Sequence, residues 1–438
     1  MLRIIQSTDS SQAKSYYSTS DYFLGNEQEL AGRWRGEGAS RLGLEGEVRR
    51  EDWEALCENR IPKTGDRLTA RTRSNRTVGY DFNFHVPKSV SLLYAETLDD
   101  RILAAFRESV DATMQDIEQE AQARVRKDGR NENRVTGNLA WGEFIHFTSR
   151  PVDGVPDPHL HAHCYVFNTT YDEAEKQWKA GQFRDLKRDA PYFEALFHSR
   201  LAGKLTELGL PIERTARGWE LAGVDQSLVR KFSRRTSQIE AKAREMGLDS
   251  PEARSELGAK TREHKQHDLS FSELQETWRE RMTSPQRERL CELAQQIGGE
   301  SQPSDSGAAQ KSVAYAIEHE FERKSVVPER MLLASALKHG AGKATVEQVL
   351  RQAQRANLIV GDRGGRRIVT TREVLDEEQQ LVEFAREGRG TCRPFVKARS
   401  HSSETGSIRN SKERFGTLRS LGTGSSCCVV WPASARLR

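Results

Sequence analysis

The chain has 438 residues, 30% charged and 36% hydrophobic, with a formal net charge of +4. That length supports two or three domains with sizeable cores, and no apolar run is long enough to cross a bilayer. The opening "MLRIIQSTDSSQ" lacks the apolar stretch of a secretory signal, so the expected compartment is the cytoplasm. The cysteines, Cys57, Cys164, Cys291, Cys392, Cys427 and Cys428, are scattered and read as reduced thiols.

Near the N-terminus "AKSYYSTSDYFLG" places Tyr16 beside Tyr17 and Tyr22 close behind. Arginine is clustered in "RLTARTRSNR" (67–76), "RVRKDGRNENR" (124–134) and "RKFSRR" (230–235), a pattern that suits a localised phosphate-binding surface. Arg71, Arg73 and Arg76, together with Arg150, are the candidate DNA contacts. "RTVGYDFNFHV" alternates as a strand, with Tyr80, Phe82, Phe84 and Val86 on one side. Pro87 then opens a helix, and "DRILAAFRESVDATMQDIEQEAQARVR" has helical apolar spacing. "NLAWGEFIHFTS" and "HLHAHCYVFNTTYD" read as strands. "PYFEALFHSRLAGKLTELG" and "SLVRKFSRRTSQIEAKAREMG" read as helices that end at glycine. Strands mixed with helices and a hairpin predict an α+β domain with a largely antiparallel sheet up to about residue 295. Residues 296–310 are a linker by composition. Three short helical patterns and the hairpin "LIVGDRGGRRIVTT" follow, the order of a winged helix, over 311–390. The Ser/Arg/Gly-rich tail, 391–438, is expected to be disordered.

The strongest chemical signal lies in "HFTSRPVDGVPDPHLHAHCYVFN". Alternate side chains of a strand share a face, so His159, His161 and His163 lie together while Leu160, Ala162, Cys164 and Val166 face a core. Asp153-Gly154 is a two-residue turn signal. Centring an antiparallel hairpin there pairs His146 with His161. His146, His161 and His163 then form a three-nitrogen site that leaves coordination positions open, as a catalytic metal requires. His159, next to Pro158, is a spare ligand, a DNA contact or a bystander. His85 shares the face of Asp81 and is expected to have a polar surface role.

A tyrosine hydroxyl has a pKa of about 10, so ionising it at neutral pH costs on the order of 4 kcal/mol. A nearby base or cation must supply that, and a divalent ion beside a scissile phosphate also offsets the charge that develops there. Attack on phosphorus gives a phosphotyrosine ester that conserves the bond for later rejoining.

Together, "SYYSTSDYFLG", "RWRGEGASRLGL", "GYDFNFHVPKSVSLL" and "H…PDPHLHAHCYVFN" resemble the N-terminal domain of MobF-type conjugative relaxases, members of the HUH endonuclease superfamily. The resemblance covers about residues 1–295. It implies a central antiparallel sheet with surrounding helices and site- and strand-specific DNA nicking and joining at a transfer origin. Residue by residue, it implies that Tyr16 cleaves the transferred strand and Tyr22 serves a later strand transfer, with Tyr17 supporting. Here the second tyrosine pair reads Tyr-Phe. Asp81 matches the acid that orients a metal-bound histidine or takes the tyrosine's proton, and His146, His161 and His163 match the metal triad. Lys88 matches a motif beside the site, either as a phosphate contact or as a helix start. The implied cofactor is one divalent ion, Mg²⁺ or Mn²⁺, and the implied partners are single-stranded origin DNA, accessory relaxosome proteins and a coupling protein.

Long relatives continue into an ATP-driven helicase. The nearest string to a P-loop, "KHGAGKAT", has Ala344 after Lys343 and no first glycine, so no nucleotide is expected. A truncated or frameshifted relaxase is the expectation, and re-reading the encoding DNA for helicase motifs in a downstream frame tests it. Two other readings stand beside it: a rolling-circle initiator or transposase with the same chemistry, and a non-enzymatic origin-binding protein. The order of motifs, tyrosines before histidines, favours the relaxase.

Overall fold

The computed structural model describes residues 2–11, 13–14, 30–70, 75–127, 129–216, 218–250, 253–254, 257–258, 261, 269–299 and 307–389. Five antiparallel strands form the main sheet: β1 (Leu2–Ser7), β2 (Arg33–Arg35), β3 (Gly79–His85), β4 (Trp141–Thr148) and β5 (Pro158–Phe167). Their spatial order is β1-β3-β5-β4-β2, so the histidine strand β5 is central in the antiparallel sheet that the resemblance implies. The expected pairing is found: His146 lies opposite His161, and the register slips only between His146 and Thr148, toward the proline-rich turn. At the tip Asp153 and Gly154 have φ of 54° and 78°, the paired left-handed residues of a tight hairpin turn.

The two sheet faces follow from the strand alternation. On the back face Phe82, Phe84, Leu160, Ala162, Cys164 and Val166 are buried. The front face carries Asp81, Asn83, His85, His146, His161 and His163. Over its far half lies the helix α1 (Arg50–Cys57), whose Trp53 packs against Phe144, Tyr165 and Phe167 at 4.9–5.5 Å between ring centroids.

Behind the sheet lie α2 (Lys88–Thr97), α3 (Asp100–Gln119) and α4 (Ala190–Glu207). Phe197 of α4 meets Phe84 of β3 edge-on at 5.2 Å and Phe106 of α3 at 6.0 Å, and Tyr94 of α2 meets Phe147 of β4 at 5.2 Å. The amphipathic pattern of α3 thus finds its partner in the apolar rows of the strands.

Two later helices, α5 (Arg234–Glu245) and α6 (Phe271–Glu280), close on the β4–β5 turn. Asp157, buried just before β5, accepts hydrogen bonds from Arg234 Nε (2.9 Å), the Arg234 backbone (3.1 Å) and Arg281 Nη1 (2.9 Å). Arg234 also donates to the Val152 and Val155 carbonyls, and Trp278 Nε1 donates to Pro156 O at 2.9 Å. A buried carboxylate is tolerable only when paired in this way.

Contacts divide the chain into two units, residues 1–322 with 328–356 and residues 323–327 with 357 onward. The helices α7 (Ala308–Phe321), α8 (Glu329–Gly340) and α9 (Val346–Arg355) fall in the unit of the sheet, where α8 packs on α4. Arg330 of α8 ties back to Glu120 at 2.5 Å and Asp189 at 2.9 Å. The expected hairpin exists as Ile359–Asp362 paired with Arg367–Thr370 and lies in the second unit, where Thr370 Oγ1 donates to Ser325 O at 2.7 Å. Residues 300–306, in the expected linker, and the tail from 390 lie outside the described residues. Cys57 and Cys164 are buried free thiols and Cys291 an exposed one, as read; Cys392, Cys427 and Cys428 lie outside the described residues. No described helix is long and apolar enough to cross a membrane.

Candidate functional site

His146 on β4 and His161 and His163 on β5 are buried, and their ligating nitrogens lie within 4.8 Å of one another. The ring centroids form a near-equilateral triangle of 5.0–5.1 Å. Cross-strand neighbours on one sheet face come this close because directly opposed residues point the same way.

Two of the three rings have their orientation fixed from behind. His163 Nδ1 is 2.8 Å from Asp81 Oδ2, and His161 Nδ1 is 2.8 Å from the carbonyl oxygen of His159. A carboxylate and a carbonyl can only accept, so Nδ1–H is the donor in both rings and Nε2 is the nitrogen left to face a ligand. That is the tautomer a metal ion needs, with the outer partner that metal-ligating histidines regularly have. Burial, reinforced by the neighbouring His163, pulls the pKa of His161 down to about 3. Burial likewise pulls His146 well below the ordinary value. Both are therefore neutral near pH 7 and able to ligate. The donor set fits a divalent cation held by three imidazoles with coordination positions to spare. Asp81, itself buried, has a second oxygen, Oδ1, with no hydrogen-bond partner among the described residues.

His85 does not have the surface role expected of it. It is half-buried, its Nδ1 lies 2.9 Å from His159 Nε2, and its ring stacks on those of His159 and His161 at 4.9 and 5.4 Å. Its exposure was decided by His159 on the neighbouring strand, a pairing that no single strand pattern reveals. Alternation along β3 was the available signal, since it places Asp81, Asn83 and His85 on the face of the triad.

Lys88 opens α2 and donates from Nζ to Pro158 O at 2.7 Å. Burial lowers its pKa to about 8, against the opposing pull of Asp157. Arg150 is half-buried, and its charge is felt by His146 and His161. Arg76 donates to the Leu56 and Cys57 carbonyls at the end of α1, so its guanidinium already caps a helix. Arg71, Arg73, Tyr16, Tyr17 and Tyr22 lie outside the described residues. Sequence reasoning missed the grip of Arg234 and Arg281 on Asp157, because nothing local marks a partner 77 or 124 residues away.

An antiparallel sheet that presents three converging imidazoles and a buried carboxylate on one face has the donor set of a histidine metal site. The TrwC relaxase family model matches residues 8–284, and the chain belongs to that family. Two curated Escherichia coli relatives, both multifunctional conjugation protein TraI, are similar. The one from strain K12 is 32% identical over 293 residues, covering 64% of this chain and 16% of its own length; the other is 31% identical over 330 residues, covering 71% and 18%. The chain therefore spans less than a fifth of the length of these relatives. Among solved structures, the conjugative relaxase TrwC in a metal-bound complex with oriT DNA is 30% identical with a TM-score of 0.57, and the match covers 67% of this chain and 99% of that one. A copper-bound complex of TrwC with oriT DNA is 30% identical with a TM-score of 0.57, over 66% and 99%.

Proposed function

We propose that the chain nicks and rejoins one strand of DNA at a transfer origin, through a covalent bond between Tyr16 and the 5′-phosphate. The observation that carries this reading is the histidine triad, with Asp81 hydrogen-bonded behind His163. In the proposed step the Tyr16 oxygen attacks phosphorus, the bond to the 3′-oxygen breaks, and the departing 3′-oxygen takes up a proton. Bound at His146, His161 and His163, Mg²⁺ or Mn²⁺ would polarise the scissile phosphate and offset its developing charge. Asp81 holds His163 through Oδ2, and its Oδ1 is an acceptor for the tyrosine's proton. Tyr22 serves the later transfer that rejoins the strand, with Tyr17 in support. Arg71, Arg73, Arg76 and Arg150 grip the phosphates, with affinity that falls steeply as salt rises; Arg76 would have to exchange its carbonyl partners to do so. Residues 1–295 carry this chemistry. The expected setting is the cytoplasm, with accessory relaxosome proteins and a coupling protein as partners.

The test is a covalent adduct on a denaturing gel, formed with labelled single strands from the chain's own element, with Mg²⁺ or Mn²⁺ and with chelator. An adduct that needs metal and vanishes in Tyr16→Phe supports the proposal. Survival in Tyr16→Phe with loss in Tyr22→Phe reverses the roles of the tyrosines. Tight binding of every origin strand without an adduct leaves a DNA-binding module in place of the enzyme.

A further inference from the structure

His85 and His159 extend the cluster beyond the three metal-ligating imidazoles. The His159 ring lies 4.6 Å from His161, one strand repeat along the same face of β5, and His85 stacks on both. Neither belongs to the group whose nitrogens converge for an ion. Their nitrogens face each other instead, at 2.9 Å.

We propose that His159, with Lys88 beside it, binds the phosphodiester next to the one that is cut, and that His85 positions His159 for that contact. This inference rests on the reading of the substrate as a DNA strand. For its Nδ1 to carry a hydrogen, a neutral His159 must accept at Nε2, and His85 Nδ1 is the ring nitrogen at hydrogen-bond distance. With His85 donating, His159 offers Nδ1–H to an anionic oxygen. The Lys88 ammonium acts electrostatically on both His159 and His161. It has three N–H donors, and one is directed to Pro158 O. A neutral N–H donor and a cation side by side, one strand repeat from the ligands that would hold the scissile phosphate's ion, match an anion that follows the scissile phosphate along the chain.

The experiment uses the full chain with Mn²⁺, in a Tyr16→Phe background so that the strand stays intact. Origin-spanning single strands each carry one neutral methylphosphonate, moved phosphate by phosphate across the nick site. Affinity is read by fluorescence anisotropy for the background chain and for His159→Phe, His85→Phe and His159→Gln added to it. Phenylalanine keeps the stack and removes the hydrogen bonds, and glutamine restores a donor. At one phosphate flanking the nick, the methylphosphonate is expected to weaken binding roughly tenfold. His159→Phe should weaken binding of the unmodified strand by the same factor, and the two losses should not add. His85→Phe should act in the same direction and His159→Gln should recover part of the loss, with Mn²⁺ stoichiometry unchanged by calorimetry. Losses that add at every phosphate, or a fall in Mn²⁺ stoichiometry in His159→Phe, overturn the inference while leaving the nicking reading intact. Failure of the background chain to bind any origin strand sinks both.

Discussion

Toward one end of β5, His159, His161 and His163 line the front of the sheet, and Asp81 and His85 stand beside them on β3. Toward the other end, on the same face, Tyr165 and Phe167 are sealed under Trp53, with Trp34 at 6.0 Å from Phe167. One strand alternation produces both halves, and they differ in what covers them. The aromatic half is packed by edge-on ring contacts and fixes β5 against β3 and β4. In the imidazole half His161 and His163 are held by hydrogen bonds that their Nδ1–H groups donate, which leaves Nε2 of each for chemistry. A rigid apolar anchor thus adjoins a polar site that must keep its geometry without a core of its own.

The strongest way to break this contrast is to remove the anchor. Trp53→Ala is expected to cost about 3–5 kcal/mol of stability, read by urea unfolding. A loss below about 1 kcal/mol would show that the aromatic half is not what fixes the strand. On the polar half, Asp81→Asn should weaken metal binding about 10–100-fold by calorimetry while leaving the urea midpoint near that of the wild type. Equal metal affinity in the two proteins would remove Asp81 from the support of His163.

The halves should also respond differently to acid. His161 takes up a proton near pH 6.5 when unfolded but only near pH 3 when folded. Between those values the unfolded state binds the extra proton, so the metal-free chain loses stability as pH falls from 6.5. The slope from this group alone approaches about 1.4 kcal/mol per pH unit. Urea midpoints measured with chelator across that window should flatten in His161→Gln, and an unchanged slope would count against a neutral buried His161. The smallest effect belongs to the turn joining the two ligand strands. Gly154 has φ of 78°, so Gly154→Ala should cost about 1 kcal/mol by the same unfolding measurement. No change would mean that the turn relaxes to another type.

The triad could be read in the sequence because its geometry is local: a two-residue turn and a period of two fix which histidines meet. The aromatic anchor was less visible, since Trp53 comes from a helix more than a hundred residues before the strand it covers. His85 was misjudged for a related reason, its burial depending on a ring from another strand. The glycine- and serine-rich stretch after Gly298 suggests a linker by composition, yet the helices on both sides of it fall in one unit, because composition does not say where flanking helices dock. The packing of α8 on α4 is settled by long-range pairs such as Arg330 with Glu120, 210 residues apart.

The grip on Asp157 has a consequence for biosynthesis. Once His163 has been translated, every ligand of the triad exists, yet the turn between the ligand strands still lacks Arg234 and Arg281, and Arg281 follows Asp157 by 124 residues. At ordinary elongation rates that interval lasts on the order of ten seconds. During it Asp157 lacks both arginines that pair with it, and burying it is unfavourable. We therefore expect the nascent site to remain open until the segment through Arg281 has emerged from the ribosome. Protease protection of the β4–β5 turn on chains stalled before and after that point would reveal the delay, and equal protection on both would exclude it.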